Sequence, residues 1–401
     1  MSNSNDKARE KRGQEWSPHM WEGCHFLAWA RLLIHNRFQV GLPYWWVAAI
    51  ITIVSVCHTV LTILQDCWYG SQIKRTPIKH DPIFIIGHWR TGTTLLHEYL
   101  ILDERHNYPN TYECLEPNHF LLTEKFFQRW VRFLTPSHRP MDNMKAGWER
   151  PQEDEFALCM LGLPSPYLTI GFPNRPPQYN EYFDLEGISP RGQATWKRIF
   201  RRFLQVLTFK DPRRLVLKSP PHSCRIKVLL ELFPDARFIH IVRDPRVVFP
   251  STVNLWKSLY RKHGLQTPTF QGLEEYVFST LNRLYQKLEE GKKLLRPERF
   301  HELRYEDLIR DPIGEMEKLY EQLGLGNFDE YVPRLKEYLA DNTDYQTNRY
   351  DLTPEQEVEI EQRWGSVIRK YGYEMERVVQ PREVQPIEVP ASAEMMNAGG
   401  R

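Results

Sequence analysis

Residues 83–100, IFIIGHWRTGTTLLHEYL, decide the fold of this chain. The run Ile83–Ile86 is short and apolar, which is typical of a buried strand in a parallel sheet. A loop bounded by Gly87 and Gly92 follows it, and apolar residues then recur at helical spacing. A strand, a glycine-bounded loop and a helix start together present backbone N–H groups and a positive helix end to an anion. The stretch therefore predicts a phosphate-binding loop.

The loop departs at one position from the nucleotide triphosphate pattern G-x-x-x-x-G-K-[ST]. Gly87 and Gly92 have the required spacing, but Thr93 stands where that pattern has lysine, and the cation lies upstream at Arg90. This departure counts against a P-loop kinase or nucleotidase, in which the lysine reaches the terminal phosphates. Such an enzyme is the first alternative, and a preference for ATP over adenosine 3′,5′-bisphosphate would identify it.

Two further strand–turn–helix units follow the same plan. Leu215–Leu217 is followed by a turn that begins at Lys218, and Arg237–Val242 is followed by Arg243. Successive units of this length predict an α/β fold with a central parallel sheet flanked by helices. Ligands bind at the carboxyl ends of the strands in such sheets. Because Arg90, Lys218 and Arg243 all follow strand ends, the sequence predicts a site for a polyanion.

Four segments carry a resemblance to a known family. They are IFIIGHWRTGTTLLHEYL at 83–100, LVLKSPPH at 215–222, LFPDARFIHIVRDPRVVFPS at 232–251 and RYEDLIRDP at 304–312. Together they resemble sulfotransferases that use 3′-phosphoadenosine-5′-phosphosulfate (PAPS), above all the bacterial branch related to tyrosylprotein and carbohydrate sulfotransferases. The resemblance implies a P-loop-like three-layer fold over residues 80–375 and in-line transfer of a sulfuryl group from PAPS to an acceptor hydroxyl. A catalytically inactive membrane scaffold with the same fold is the second alternative, and absence of PAPS turnover would support it.

The resemblance also implies the residues of the donor site. The 5′-phosphosulfate loop of the family corresponds to Arg90, Thr91, Gly92, Thr93 and Thr94. Arg243 and Ser251 correspond to the arginine and serine that hold the 3′-phosphate. Pro250 departs from the family pattern, and a kink there would reduce the reach of Ser251. Tyr305 is either a neighbour of the nucleotide base or a core tyrosine.

The reaction needs cations for the charge that develops on the leaving oxygen and a base for the acceptor proton. Arg90 and Lys218 can supply the positive charge. The resemblance to tyrosylprotein sulfotransferases puts the catalytic glutamate at Glu113, while an acidic motif of the bacterial branch makes Glu153 and Glu155 competitors. The remaining candidates are four histidines: His97, His119, His138 and His222. Sulfuryl transfer requires no metal in principle, and the sequence spacing indicates no metal site.

The amino-terminal region predicts contact with a membrane. Residues 1–20 are polar and predicted to be disordered, and residues 21–70 are predicted to form a helical membrane-associating segment. Residues 45–64 carry no formal charge over 20 positions, about the length that spans a bilayer. This stretch can be a transmembrane span, an interfacial anchor or a buried helix. The Trp-rich helix before it favours the interfacial anchor.

The short connection from this segment to the catalytic region has consequences for the acceptor. The acceptor hydroxyl is expected to belong to a lipid, a glycan or a small molecule. Because the short connection keeps the active site close to the bilayer, a membrane-borne lipid, glycolipid or lipid-linked sugar is expected among these. Because PAPS is made in the cytosol, the catalytic domain is expected to face the cytoplasm.

The amino-acid composition argues against several other classes of protein. The chain has 53 Lys and Arg against 51 Asp and Glu, a balance that speaks against a nucleic acid partner. Its six cysteines include no C-x-x-C pair, which argues against a zinc ribbon or a disulfide scaffold. Residues 379–401 are rich in Pro, Ala and Gly and are predicted to form a disordered tail.

Overall fold

The computed structural model describes residues 19–130, 147–342 and 352–374 of the 401-residue chain. His138, most of the predicted disordered segment at 1–20 and the predicted tail at 379–401 lie outside these residues. The strands are β1 (Ile83–Ile86), β2 (His106–Asn107), β3 (Arg214–Lys218), β4 (Arg237–Val242) and β5 (Phe300–Arg304). The first helices are α1 (Phe26–His35), α2 (Trp45–Arg75), α3 (Thr93–Leu100), α4 (Thr111–Leu115), α5 (Phe120–Trp130), α6 (Asp154–Met160) and α7 (Pro190–Lys210). The later helices are α8 (Ile226–Leu232), α9 (Pro245–His263), α10 (Leu273–Lys292), α11 (Tyr305–Arg310), α12 (Pro312–Leu323), α13 (Val332–Asp341) and α14 (Pro354–Lys370).

The strands form one parallel sheet in the order β2-β3-β1-β4-β5. Phe84 of β1 pairs with Leu217 of β3 on one side and with Phe238 of β4 on the other. Because successive strand side chains point to opposite faces, Phe84 packs with α7 and α8, whereas Ile85 packs with α3 and α12. Helices therefore cover both faces, and the predicted three-layer α/β fold is confirmed.

The chain leaves β1 and β4 in opposite directions. The helix after β1 leads towards β2 and β3, whereas the helix after β4 leads to β5 on the other side of the sheet. A crevice opens at the carboxyl ends of two such neighbouring strands, and open α/β sheets bind their ligands there. The phosphate-binding loop after β1 and Arg243 after β4 both border this crevice.

The amino-terminal segment is packed into the body of the protein. Trp21 and Trp29 are fully buried and share one hydrophobic cluster with Trp256 of α9. The helix predicted over the uncharged stretch 45–64 continues to Arg75. Beyond that stretch, the Gln65 side chain donates to the Asn118 carbonyl and accepts from the Leu121 N–H. Residues 21–70 are therefore a layer of the folded protein as well as an apolar surface.

One helical stretch, Leu42–Arg75, is long and apolar enough to cross a membrane by length and composition. One side of it faces the protein, where Ala48, Ile51 and Ser55 are buried. The other side exposes a row of large apolar side chains, which we call the apolar stripe: Leu42, Trp45, Trp46, Ile50, Ile53, Val56, Val60, Ile63, Leu64 and Trp68.

Candidate functional site

The phosphate-binding loop owes its shape to residues with positive φ angles. Gly87 has a φ of 148° and Gly92 a φ of 100°, and Arg90 between them has a φ of 70°. A Cβ atom at Gly92 would lie 2.4 Å from the ring of Tyr305, so only glycine allows this close approach. The loop ends at the amino terminus of α3, where backbone N–H groups have no partner within the helix.

Arg90 and Arg243 meet at the crevice between β1 and β4. Arg90 Nε donates a hydrogen bond of 2.8 Å to Ser251 Oγ, and Arg243 donates one of 3.3 Å to the Arg90 carbonyl. The Arg243 guanidinium lies 4.2 Å from the centre of the Tyr305 ring. The α9 helix passes through Pro250 without a break, and Ser251 reaches the loop.

Lys218 at the end of β3 holds a glutamate beside the same crevice. Its side chain is 1% exposed, and Nζ donates a hydrogen bond of 2.9 Å to Glu153 Oε1. The Tyr167 hydroxyl donates one of 2.5 Å to Glu153 Oε2 and accepts one of 2.8 Å from the Trp89 indole. Burial and the charge of Glu153 raise the pKa of Tyr167 well above its usual value, so this hydroxyl stays protonated.

The two acidic residues that follow Glu153 in the chain, Asp154 and Glu155, have structural partners. Asp154 accepts hydrogen bonds from Ser219 and His222, at 2.9 and 2.7 Å. Glu155 forms an ion pair with Arg225, and both side chains are at most 1% exposed. The side chain of Glu153 is 14% exposed, so of these three carboxylates it is the one that an acceptor can approach.

Glu113 serves the local structure of α4. Its Oε2 accepts the Asn110 backbone N–H at 2.8 Å in a capping box, and its Oε1 pairs with Lys210 at 2.7 Å. Burial raises the pKa of Glu113, and the nearby Lys210 opposes this. The side chain of Glu113 is 4% exposed, against 14% for that of Glu153. These contacts favour Glu153 over Glu113 as the base.

The described histidine candidates are buried away from solvent. His97 and His222 are fully buried, and desolvation lowers the pKa of His97 to about 3. His222 is hydrogen-bonded to Asp154. His119 lies elsewhere, against Glu116 and the α2 helix. None of these three is exposed to an incoming acceptor in the part of the chain that the structure describes.

Two residues that contact the candidate site, Tyr167 and Trp89, are not evident from the sequence. Tyr167 lies in the Pro- and Tyr-rich region 160–190, where residue order does not show which aromatic side chain turns towards the sheet. Trp89 lies inside the loop motif, but its indole hydrogen bond depends on that same distant tyrosine. Only the contacts between these two side chains and Glu153 in the folded protein identify them.

Comparisons with known proteins agree with this geometry. A family model described as "Sulfotransferase family" matches residues 82–330. The chain is 54% identical over 379 residues to the omega-hydroxy-beta-dihydromenaquinone-9 sulfotransferase Stf3 of Mycobacterium tuberculosis (strain CDC 1551 / Oshkosh), covering 94% of this chain and 97% of that protein. A shorter match, 30% identical over 29% of this chain and 32% of the other, is to carbohydrate sulfotransferase 5 of Mus musculus.

Among solved structures, the sulfotransferase STF9 of Mycobacterium avium superposes with a TM-score of 0.60. It is 20% identical and the match covers 92% of this chain and 97% of that one, so the likeness concerns the fold. The family model covers more than half of the chain, and the relative Stf3 is matched over nearly its whole length. On this evidence the chain belongs to the sulfotransferase family, and it is a sulfotransferase.

Proposed function

We propose that this sulfotransferase moves a sulfuryl group from PAPS to the hydroxyl of a membrane-borne lipid. The observation that carries the proposal is the convergence of Arg90, Lys218 and Arg243 at adjacent strand ends, with Glu153 held on Lys218. Three cations suit the two phosphate positions of PAPS, and the glutamate suits the acceptor proton. The chemistry of the relative Stf3, named for a hydroxylated menaquinone, favours a lipid with a terminal hydroxyl.

The donor site follows from the loop and the two arginines. The backbone of Arg90–Thr94 and the start of α3 would hold the 5′-phosphosulfate. Arg243 and Ser251 would hold the 3′-phosphate, and the ring of Tyr305 would lie beside the nucleotide. Arg90 donates to Ser251 and accepts from Arg243, so it joins the two phosphate subsites.

Glu153 and Lys218 have different roles in the chemical step. Glu153 removes the proton from the acceptor hydroxyl as the oxygen attacks sulfur, and the sulfur–oxygen bond to the nucleotide phosphate breaks on the opposite side. Lys218 stabilises the negative charge on the leaving phosphate oxygen. The Tyr167 hydroxyl, fixed by Trp89, orients the carboxylate through its second oxygen.

The acceptor side of the site adjoins the amino-terminal helices. Tyr167 belongs to the short helix Pro166–Gly171, and the other end of that helix contacts Trp21. Arg175 further on donates a hydrogen bond to the backbone carbonyl of His35 at the end of α1. The segment that carries Tyr167 therefore lies against the layer that presents the apolar stripe, which suits delivery of an acceptor from a bilayer.

We propose that the α2 helix is an interfacial anchor. It is held along its length by protein contacts: Thr52 with Trp29, Thr59 with the Phe26 backbone, and Gln65 with the Asn118 backbone. A helix fastened in this way lies on the bilayer surface with its apolar stripe in the lipid. We place the catalytic domain on the cytoplasmic side, where PAPS is made.

The acceptor class can be tested directly. The full-length protein is incubated with PAPS and either a polyprenyl quinone with a terminal hydroxyl in phospholipid vesicles or a mixture of soluble glycans. We expect a sulfo-adduct of the lipid by mass spectrometry, and none when ATP replaces PAPS. Sulfation of the soluble glycans alone would contradict a lipid acceptor, and phosphate transfer from ATP would contradict the sulfotransferase chemistry.

The apolar stripe predicts a second measurable property. Replacing Trp46, Ile53 and Val60 together by glutamate should weaken binding to phospholipid vesicles at least about tenfold, since each buried apolar side chain contributes about 1.5–3 kcal/mol. The three lie seven residues apart on one face and are 66%, 68% and 53% exposed, so the fold should tolerate the change.

The matched control carries Leu294→Glu and Val358→Glu, two apolar side chains that are similarly exposed elsewhere. This control should bind vesicles like the wild type in flotation assays. Deletion of the amino-terminal segment is a poor substitute, because Trp21 and Trp29 belong to the core. Wild-type protein that stays unbound in physiological salt would remove the support for an interfacial anchor.

A further inference from the structure

A histidine lies in the middle of the apolar α2 helix and faces the protein. His58 Nδ1 is 3.2 Å from Glu116 Oε2, and His119 Nε2 is 3.3 Å from the same oxygen. The donor atoms of the three side chains all lie within 4.8 Å of one another. The His119 side chain is 3% exposed, that of His58 13% and that of Glu116 20%. We call these three residues the His58 cluster.

The facing atoms of the His58 cluster have no hydrogen-bond partner among the described residues. His58 Nδ1, Glu116 Oε2 and His119 Nε2 are each buried and unpaired. Buried polar atoms without a partner are uncommon in folded proteins and point to an unseen water or ion. Here three of them point at one another across an interface between two elements.

The hydrogen bonds around His119 allow a neutral ring with its proton on Nδ1. The Thr123 hydroxyl donates to the His119 carbonyl at 3.1 Å. His119 Nδ1, at 3.0 Å from the same hydroxyl, can then be the donor to it. In that tautomer the lone pair is on Nε2, and it faces a carboxylate oxygen. Two lone pairs repel unless a proton or a metal ion lies between them.

The distances fit a metal ion better than a direct hydrogen bond. Zinc is bound by nitrogen and carboxylate oxygen at about 2.0–2.2 Å, which puts neighbouring tetrahedral ligands about 3.3 Å apart. The two contacts to Glu116 Oε2 match that separation. The hydrogen bond from His119 to Thr123 is the kind of outer contact that orients a ligating histidine.

We propose that His58 Nδ1, Glu116 Oε2 and His119 Nε2 bind a divalent transition-metal ion that fastens α2 to the connection between α4 and α5. Two histidines and one carboxylate are the donor set of a zinc site with an open position, and a water would complete the coordination. The sequence spacing concealed the site, because His58 lies 58 residues before Glu116 along the chain. The neighbouring bonds of Gln65 to Asn118 and Leu121 lock the same interface.

Metal titration of the full-length protein tests the proposal. Protein purified with a histidine-free tag is stripped with a chelator and titrated with Zn²⁺, and the bound metal is measured by mass spectrometry. We expect one Zn²⁺ per chain, a visible absorption spectrum of four-coordinate type when Co²⁺ replaces it, and a melting temperature that rises on metal addition.

Three variants locate the ion. His58→Asn, Glu116→Gln and His119→Asn should each weaken Zn²⁺ binding at least about 100-fold, above the usual effect of losing an outer-shell partner. The exposed His80→Ala variant is the matched control and should bind like the wild type. A cooperative melt of each metal-free variant shows that it folds. No uptake by the wild type, or uptake that all three variants retain, would overturn the site.

Discussion

Glu153→Gln should lower the turnover number at least about 100-fold, because a positioned general base contributes roughly 10²–10⁴-fold to a rate. Glutamine keeps the length of the side chain and an oxygen that can accept from Lys218. Its NH2 group then faces the Tyr167 hydroxyl in place of the second oxygen, and it cannot take up a proton. The measurement is single-turnover transfer of sulfur from PAPS to the acceptor, at nucleotide concentrations that saturate the enzyme. Binding of adenosine 3′,5′-bisphosphate should remain close to that of the wild type.

Glu113→Gln is the matched comparison, because it makes the same chemical change at the other candidate. The structure gives Glu113 a capping role and an ion pair with Lys210, so its main effect should be on the midpoint of thermal unfolding. A collapse of turnover in Glu113→Gln together with near-normal turnover in Glu153→Gln would return the base to Glu113. Thermal melts of both proteins separate a chemical defect from unfolding.

Arg243→Ala should weaken the binding of adenosine 3′,5′-bisphosphate by about 1.5–3 kcal/mol, the scale of a hydrogen bond to a charged group. That corresponds to roughly a tenfold to hundredfold change in dissociation constant. The guanidinium is held on the Tyr305 ring and against the Arg90 carbonyl, so it is oriented before the ligand arrives. Calorimetric titration should show little change for adenosine 5′-phosphosulfate, which lacks the 3′-phosphate.

Arg246→Ala is the control for general loss of positive charge. Arg246 lies three residues further along, in the first turn of α9, and its guanidinium pairs with Asp244. It should leave the ratio of the two affinities unchanged. If Arg243→Ala weakened both nucleotides equally, Arg243 would act on the whole nucleotide and would not hold the 3′-phosphate.

Local patterns in the amino-acid sequence were sufficient to predict the parallel sheet and the strand, loop and helix of residues 83–100. Apolar runs such as Ile83–Ile86 become buried strands, and Gly87 and Gly92 stand at two of the three loop positions that have positive φ. Parallel strands bring their carboxyl ends to one edge of a sheet, so the convergence of Arg90, Lys218 and Arg243 follows from their places directly after strands. The sulfotransferase family was identified from the same segments.

The choice among acidic residues depended on tertiary structure. Glu113, Glu153 and Glu155 are alike as residues, and what separates them is the partner that the fold supplies. Glu113 pairs with Lys210 and caps a helix, and Glu155 pairs with Arg225 in the core. Glu153 pairs with Lys218, and its side chain is partly exposed. The same holds for the amino-terminal segment and for the His58 cluster. Hydropathy predicts that α2 is apolar, but only packing decides which side faces the protein, because burial and ion pairing arise between residues far apart in the chain.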